Sequence, residues 1–147
     1  MGETFVLIHG TWHGGWAWDA VVRELSGKGH RAHAPTLAGH GPGVARQGIT
    51  HQDCVASVVA YIDQQGLGDV ILVGHSFGGT VVQKVAELLP GRIRRTVFLD
   101  ALVLKRIAIF PHAAQSLVQV PHDFLRTHHP DHVACPKDKT GKLAAAC

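Results

Sequence analysis

The chain has 147 residues, of which 46% are apolar and 17% charged; that is the composition of a folded globular chain, it excludes disorder as the main state, and the length suits one domain. Fourteen Lys and Arg against eleven Asp and Glu leave a formal charge of +3, yet only Arg92, Arg94 and Arg95 cluster, so the basic stripe of a nucleic-acid binder is missing. A domain of this size buries roughly 68–70% of its unfolded surface, which allows a real core but little room for a lid.

Residues 4–9 (TFVLIH) are an apolar, β-branched run that stops at glycine, as a buried strand does. Residues 16–28 carry Ala17, Val21 and Leu25 at helical spacing and end at Gly29. A short strand over residues 31–34 follows, then a loop over 35–48 punctuated by Pro35, Gly39, Gly41, Pro42, Gly43 and Gly48. Thr50 and Asp53 form a capping box for a helix whose apolar face is Val55, Val58, Val59 and Ile62 and which runs to about Gln65. Residues 69–74 (DVILVG) are a fully apolar strand, 78–89 a helix closed by Pro90 and Gly91, and 95–102 another strand. Strands alternating with helices imply an α/β fold: a three-layer arrangement with a parallel sheet covered by helices on both faces.

Beyond Leu104 the pattern weakens, with a strand expected over 116–120 and a short helix over 123–129. The end, GKLAAAC, reads as a translated cloning site. The chain thus divides into a core over residues 1–104, an atypical short segment of the same domain over 105–140, and a tail over 141–147. Three cysteines, Cys54, Cys135 and Cys147, are odd in number and far apart, which fits reduced thiols in a cytoplasm. No signal peptide is visible, and the most apolar stretch, residues 97–110, is broken by Asp100, Lys105 and Arg106, so no membrane partner is expected.

Gly74-His75-Ser76-Phe77-Gly78 matches G-x-S-x-G and falls between a strand and a helix, the context that this motif requires. Small residues at both ends allow a sharp reversal that holds Ser76 exposed at the positive end of the following helix, where an attacking alkoxide is favoured. His9-Gly10-Thr11 follows the first strand. The backbone N–H groups of Thr11 and Phe77 are expected to hold the oxyanion of an acyl transfer, with Gly10 allowing close approach of the substrate.

Together FVLIHGTWHGGWAW, GHRAHAPTLAGHG, VILVGHSFGG and RRTVFLDALV resemble the methylesterase and hydroxynitrile lyase branch of the α/β-hydrolase superfamily, over residues 4–103. The resemblance implies Ser76 as nucleophile, Thr11 and Phe77 as oxyanion hole, and Trp12 and His13 near the substrate. The lyases of that branch usually lack the glycine found here as Gly10 and use a cap lysine, so the likeness favours a serine carboxylesterase acting on small esters, with no cofactor and no metal. A catalytically weak or inert truncated hydrolase is the alternative, since the family normally adds a helical cap, further strands and the rest of the triad after the strand at 95–102.

The general base must then lie in the tail, in another subunit, or nowhere. His75 is expected to point away from Ser76, His9 to be structural, and His30, His33, His40 and His51 to be turn or solvent-facing residues. Among His112, His122, His128, His129 and His132, the segment Asp131-His132-Val133-Ala134 faintly resembles that of the family's catalytic histidine, so His132 is favoured. Asp123 competes with Asp100 for the acid. Asp123 and His132 are at most about 30 Å apart along the chain, so both can reach one site. His128, His132 and Cys135 have a zinc-like spacing, but Pro130 interrupts the helix it would need, so no metal site is assigned. A sheet ending after 95–102 would leave an open edge, which predicts a homodimer or larger homo-oligomer, with tail segments exchanged between chains.

Overall fold

The computed structural model describes residues 2–104; the strand expected over 116–120, the helix over 123–129 and the tail lie outside them. The described elements alternate as the hydrophobic patterns require: β1 (Thr4–Ile8), a 3-10 turn (Gly15–Trp18) leading into α1 (Asp19–Gly27), β2 (Arg31–His33), α2 (His51–Gln64), β3 (Val70–Ser76), α3 (Gly78–Leu88) and β4 (Ile93–Ala101). Every strand pairing is parallel, in the order β2-β1-β3-β4. Each parallel connection needs a crossover, and the helices supply it.

Side chains alternate across the strands and so feed two cores. On one face Val6, Ile8, Val70 and Leu72 pack against Val55, Val58 and Ile62 of α2 and Val81, Val82 and Val85 of α3. On the other, Leu7, Ile71 and Val73 meet Trp18 with Val21, Val22 and Leu25 of α1. Helices therefore cover both faces, giving the three layers expected.

Several boundaries differ from the sequence expectation, each for a physical reason. The helix expected from residue 16 begins as a 3-10 turn, because Gly15 donates its N–H to Thr36 Oγ1 at 2.9 Å and lies so close to Ala34 that its first turn is shaped by the loop after β2. α1 ends in a Schellman motif: His30 N–H bonds Leu25 O and Gly29 N–H bonds Ser26 O, both at 3.0 Å, with Gly29 at φ +82°. The capping box forms as read, with Asp53 N–H donating to Thr50 Oγ1 and Thr50 N–H to Asp53 Oδ2. Cys54 is buried on the α2 face where Val59 was expected; Val59 is only partly covered. β4 starts at Ile93, two residues early, because Ile93 pairs with Val70, a tertiary pairing that the arginine-rich sequence there does not announce.

The order of strands sends the chain from β1 to β2 in one direction and then across to β3 in the other. This reversal opens a crevice at the carboxyl ends of β1 and β3, the usual ligand position in an open α/β sheet. Ile62 is fully buried between α2 and the sheet. Ile62→Ala is expected to lower unfolding stability by about 2–5 kcal/mol in a denaturant titration, and half-exposed Leu25→Ala on α1 by clearly less.

Candidate active site

The segment after β3 is dictated by backbone contact. A Cβ on Gly74 would come within 2.7 Å of Gly78 O, and one on Gly78 within 2.6 Å of His9 O and 2.7 Å of Ile8 O. Both positions therefore exclude a side chain, and the strand turns directly into α3. Ser76 occupies that turn with φ +51°, a left-handed conformation that is uncommon for a residue other than glycine and costs energy. Phe77, at φ −52° and ψ −35°, caps α3.

β4 fixes the orientation of this turn. Leu102 N–H donates to Ser76 O at 2.9 Å, and because the Ser76–Phe77 peptide is trans, the Phe77 N–H is held pointing the opposite way. Asp100 is the extra residue in the pairing: His75 faces Leu99, Ser76 faces Ala101, and Asp100 between them has φ +42°. Such bulges re-aim the chain near functional sites. Gly10 lies across from Ser76, and a Cβ there would sit 3.1 Å from Ser76 Cβ and 3.6 Å from Ser76 Oγ. The structure thus brings Ser76, Gly10, Thr11, Phe77 and the alternative acid Asp100 to one end of the sheet. His132 and Asp123 lie outside the described residues, as do the other tail histidines and the zinc-like set. No described residue hydrogen-bonds Ser76 Oγ.

The histidines surrounding this turn are occupied. His9 is buried; its Nε2 accepts the Leu37 N–H at 3.0 Å while Nδ1–H donates to Gly10 O at 2.8 Å. One tautomer satisfies both bonds, and burial pushes its pKa down to about 4. His75 turns toward Trp18 and His13, with ring centroids 6.5 Å from each, and burial lowers its pKa as well. His40, His33 and His30 are more engaged than a turn position implies. His40 lies between His9, at 5.3 Å, and the Phe77 ring, at 6.2 Å and nearly parallel to it. His33 Nδ1 is 3.0 Å from Tyr61 Oη, and His30 Nδ1 accepts the Glu3 N–H. His51 is exposed but reaches across to α3: its Nε2 lies 3.0 Å from Thr80 Oγ1, which itself donates to Phe77 O at 2.8 Å. Nothing in the sequence spacing signals that link, because it joins the first turns of two helices 29 positions apart.

Trp12 and His13 follow Gly10 on the loop. His13 N–H closes a turn onto Gly10 O, and the Arg46 guanidinium sits 5.0 Å from the centre of the Trp12 ring.

Comparison with known proteins agrees with this geometry. The model of the alpha/beta hydrolase family matches residues 5–141, so the chain belongs to that family. It is 43% identical over 101 residues to the carbendazim hydrolyzing esterase of a Nocardioides strain, covering 67% of this chain and 42% of that one. Methylesterase 7 of Arabidopsis thaliana is 33% identical over 105 residues, covering 69% and 40%. Among solved structures, an extracellular alpha/beta-hydrolase from a Paenibacillus species, described as homologous in structure and function to tobacco salicylic acid binding protein 2, superposes with a TM-score of 0.67 at 47% identity, covering 69% of this chain and 42% of that one. The chain spans about two fifths of the length of these relatives. These relatives are named as esterases and hydrolases. Among the described residues no helix is long and apolar enough to cross a membrane.

Burial keeps His9 neutral in the folded state down to about pH 4, whereas in the unfolded chain it takes up a proton below about pH 6.5. Between those values the unfolded state binds more protons, so His9 stabilises the fold above about pH 6.5, and this contribution is lost as the pH falls toward 4. The expected loss is up to about 3 kcal/mol, read as denaturation midpoints across that window. His75 and His33, also shifted down by burial, add to the same slope. His9→Leu should flatten the slope and, by orphaning the Leu37 N–H, cost about 1–3 kcal/mol at neutral pH.

Proposed function

We propose that this protein is a serine carboxylic-ester hydrolase that works on small esters through an acyl-enzyme. The observation that carries the reading is Ser76 at φ +51°, wedged between glycines that tolerate no side chain and adjoining the Gly10–Thr11 loop. Ser76 Oγ attacks the ester carbonyl carbon and gives its proton to an imidazole. The carbonyl oxygen, now negative, is met by the N–H groups of Thr11 and Phe77, of which the latter points away from the Ser76 carbonyl that Leu102 holds. The imidazole returns the proton to the departing alcohol, leaving an ester on Ser76. Water, deprotonated by the same imidazole, then releases the acid and restores the serine.

His132 is the proposed base, with Asp123 as the acid that orients it and Asp100 as the rival acid at the bulge. Trp12 and His13, next to Gly10, are proposed to line the substrate. The chain is further proposed to be cytoplasmic and to assemble as a homodimer or larger, with exchanged segments. An inert remnant, with no base to activate Ser76, is the second reading.

Hydrolysis of p-nitrophenyl acetate, together with fluorophosphonate labelling, separates the two readings. Wild type is expected to hydrolyse the ester and label at Ser76, and Ser76→Ala to do neither; a wild type that labels no faster than free serine supports the inert reading. Gly10→Ala, which places a methyl group against Ser76, should lower kcat/KM at least about tenfold, the loss of one oxyanion donor being worth about 100-fold to 1000-fold. His132→Ala should abolish turnover, and undiminished rate in that variant rejects His132. Asp123→Asn and Asp100→Asn compared side by side identify the acid as the one whose loss costs more. Light scattering at micromolar concentration is expected to show an assembly larger than a monomer.

A further inference from the structure

Beside the two proposed oxyanion donors lies an open cleft of about 290 Å³, with Thr11 and Phe77 on its wall together with His40, Arg46, Ile49 and His51. Among the described residues its ionisable lining is one-sided: an arginine, two imidazoles and the Cys54 thiol, without a carboxylate. The nearest acid along the chain, Asp53, is spent on the N–H and hydroxyl of Thr50.

Among the described arginines only Arg92 and Arg94 form ion pairs with carboxylates. Arg92 pairs with Asp63, and Arg94 with Glu3 and Asp69, whereas no carboxylate among the described residues pairs with Arg46. Its guanidinium instead lies over the Trp12 ring. A guanidinium held over a ring in this way can still offer N–H donors to a planar, two-oxygen acceptor. The two imidazoles are already anchored, His40 Nδ1–H to Ala38 O at 2.8 Å and His51 to Thr80. Through Thr11 and Phe77 the cleft adjoins the position of the ester carbonyl, where an arm of the ester can enter it.

We propose that this cleft receives the acyl arm of the substrate and that Arg46, stacked on Trp12, selects acyl arms ending in a carboxylate, as in half-esters of short dicarboxylic acids. Ile49 and the Phe77 ring contact the methylenes, and Arg46 takes the terminal carboxylate. Arg46 is a specificity residue and makes or breaks no bond. The inference rests on the ester-hydrolase reading for its substrate, and its test separates the two.

The full chain is given mono-p-nitrophenyl glutarate and, as the uncharged match, p-nitrophenyl valerate. The kcat/KM ratio is expected to favour the glutarate by about three- to tenfold, the range for a partly exposed charge-assisted contact. It should fall toward one in Arg46→Ala, recover in part in Arg46→Lys, and shrink with added salt. A ratio unchanged by Arg46→Ala, or a wild type that prefers valerate, overturns the proposal. Failure to hydrolyse either ester, with no fluorophosphonate label on Ser76, sinks the hydrolase reading instead. The cleft is then judged by calorimetry on Ser76→Ala: binding of monomethyl glutarate over methyl valerate, lost on adding Arg46→Ala, supports it, and equal binding or none overturns it.

Discussion

The start of α3 lies against the end of β1 with no side chain between them. Gly78 touches the Ile8 and His9 carbonyls, and Gly74 touches Gly78 itself. This backbone contact fixes the geometry of the whole crevice. It forces the turn that puts Ser76 at positive φ, aims the N-terminus of α3 at the same point as the loop after β1, and brings Gly10 against the serine. The cores on the two faces, Val81, Val82 and Val85 on one and Trp18 with Leu25 on the other, hold β1 and α3 at that distance. Burial supplies the energy to keep a strained residue where no local preference would place it.

The imidazoles around this contact hold structure. His9 ties the Gly10 carbonyl to the Leu37 N–H, and His40 and His51 grip the Phe77 ring from two sides. Each is fixed by a backbone or hydroxyl partner, and desolvation lowers the pKa of both His9 and His75. A histidine-rich composition invites a search for metal or proton relays. Around Ser76 the same residues instead act as planar packing pieces with two hydrogen-bonding ends, which lets a crowded set of loops satisfy its buried polar groups.

Charge is distributed unequally between the two ends of the sheet. At the amino end Glu3, Asp63 and Asp69 neutralise Arg92 and Arg94 across exposed pairs, contacts that tidy the surface more than they stabilise it. At the carboxyl end Arg46 rests on an indole and Asp100 stands exposed at a bulge. Among the described residues, the end that binds ligand in an open α/β sheet is therefore also the end where Arg46 and Asp100 have no ion pair with each other or with another residue.

Local signals in the chain determined much of this on their own. Apolar runs located the strands, helical spacing and the Thr50–Asp53 box located α2, and the glycine pair around Ser76 located the turn, because each depends on residues close in sequence. The family likeness of four short blocks was legible for the same reason. His132 and Asp123 are proposed from sequence alone and lie outside the described residues. The order of the strands, the early start of β4 at Ile93, the bulge at Asp100, the link from His51 through Thr80 to Phe77, and the stacking of Arg46 on Trp12 were decided only by tertiary structure. They join segments tens of residues apart, and no periodicity or propensity records which distant backbone group a side chain will meet.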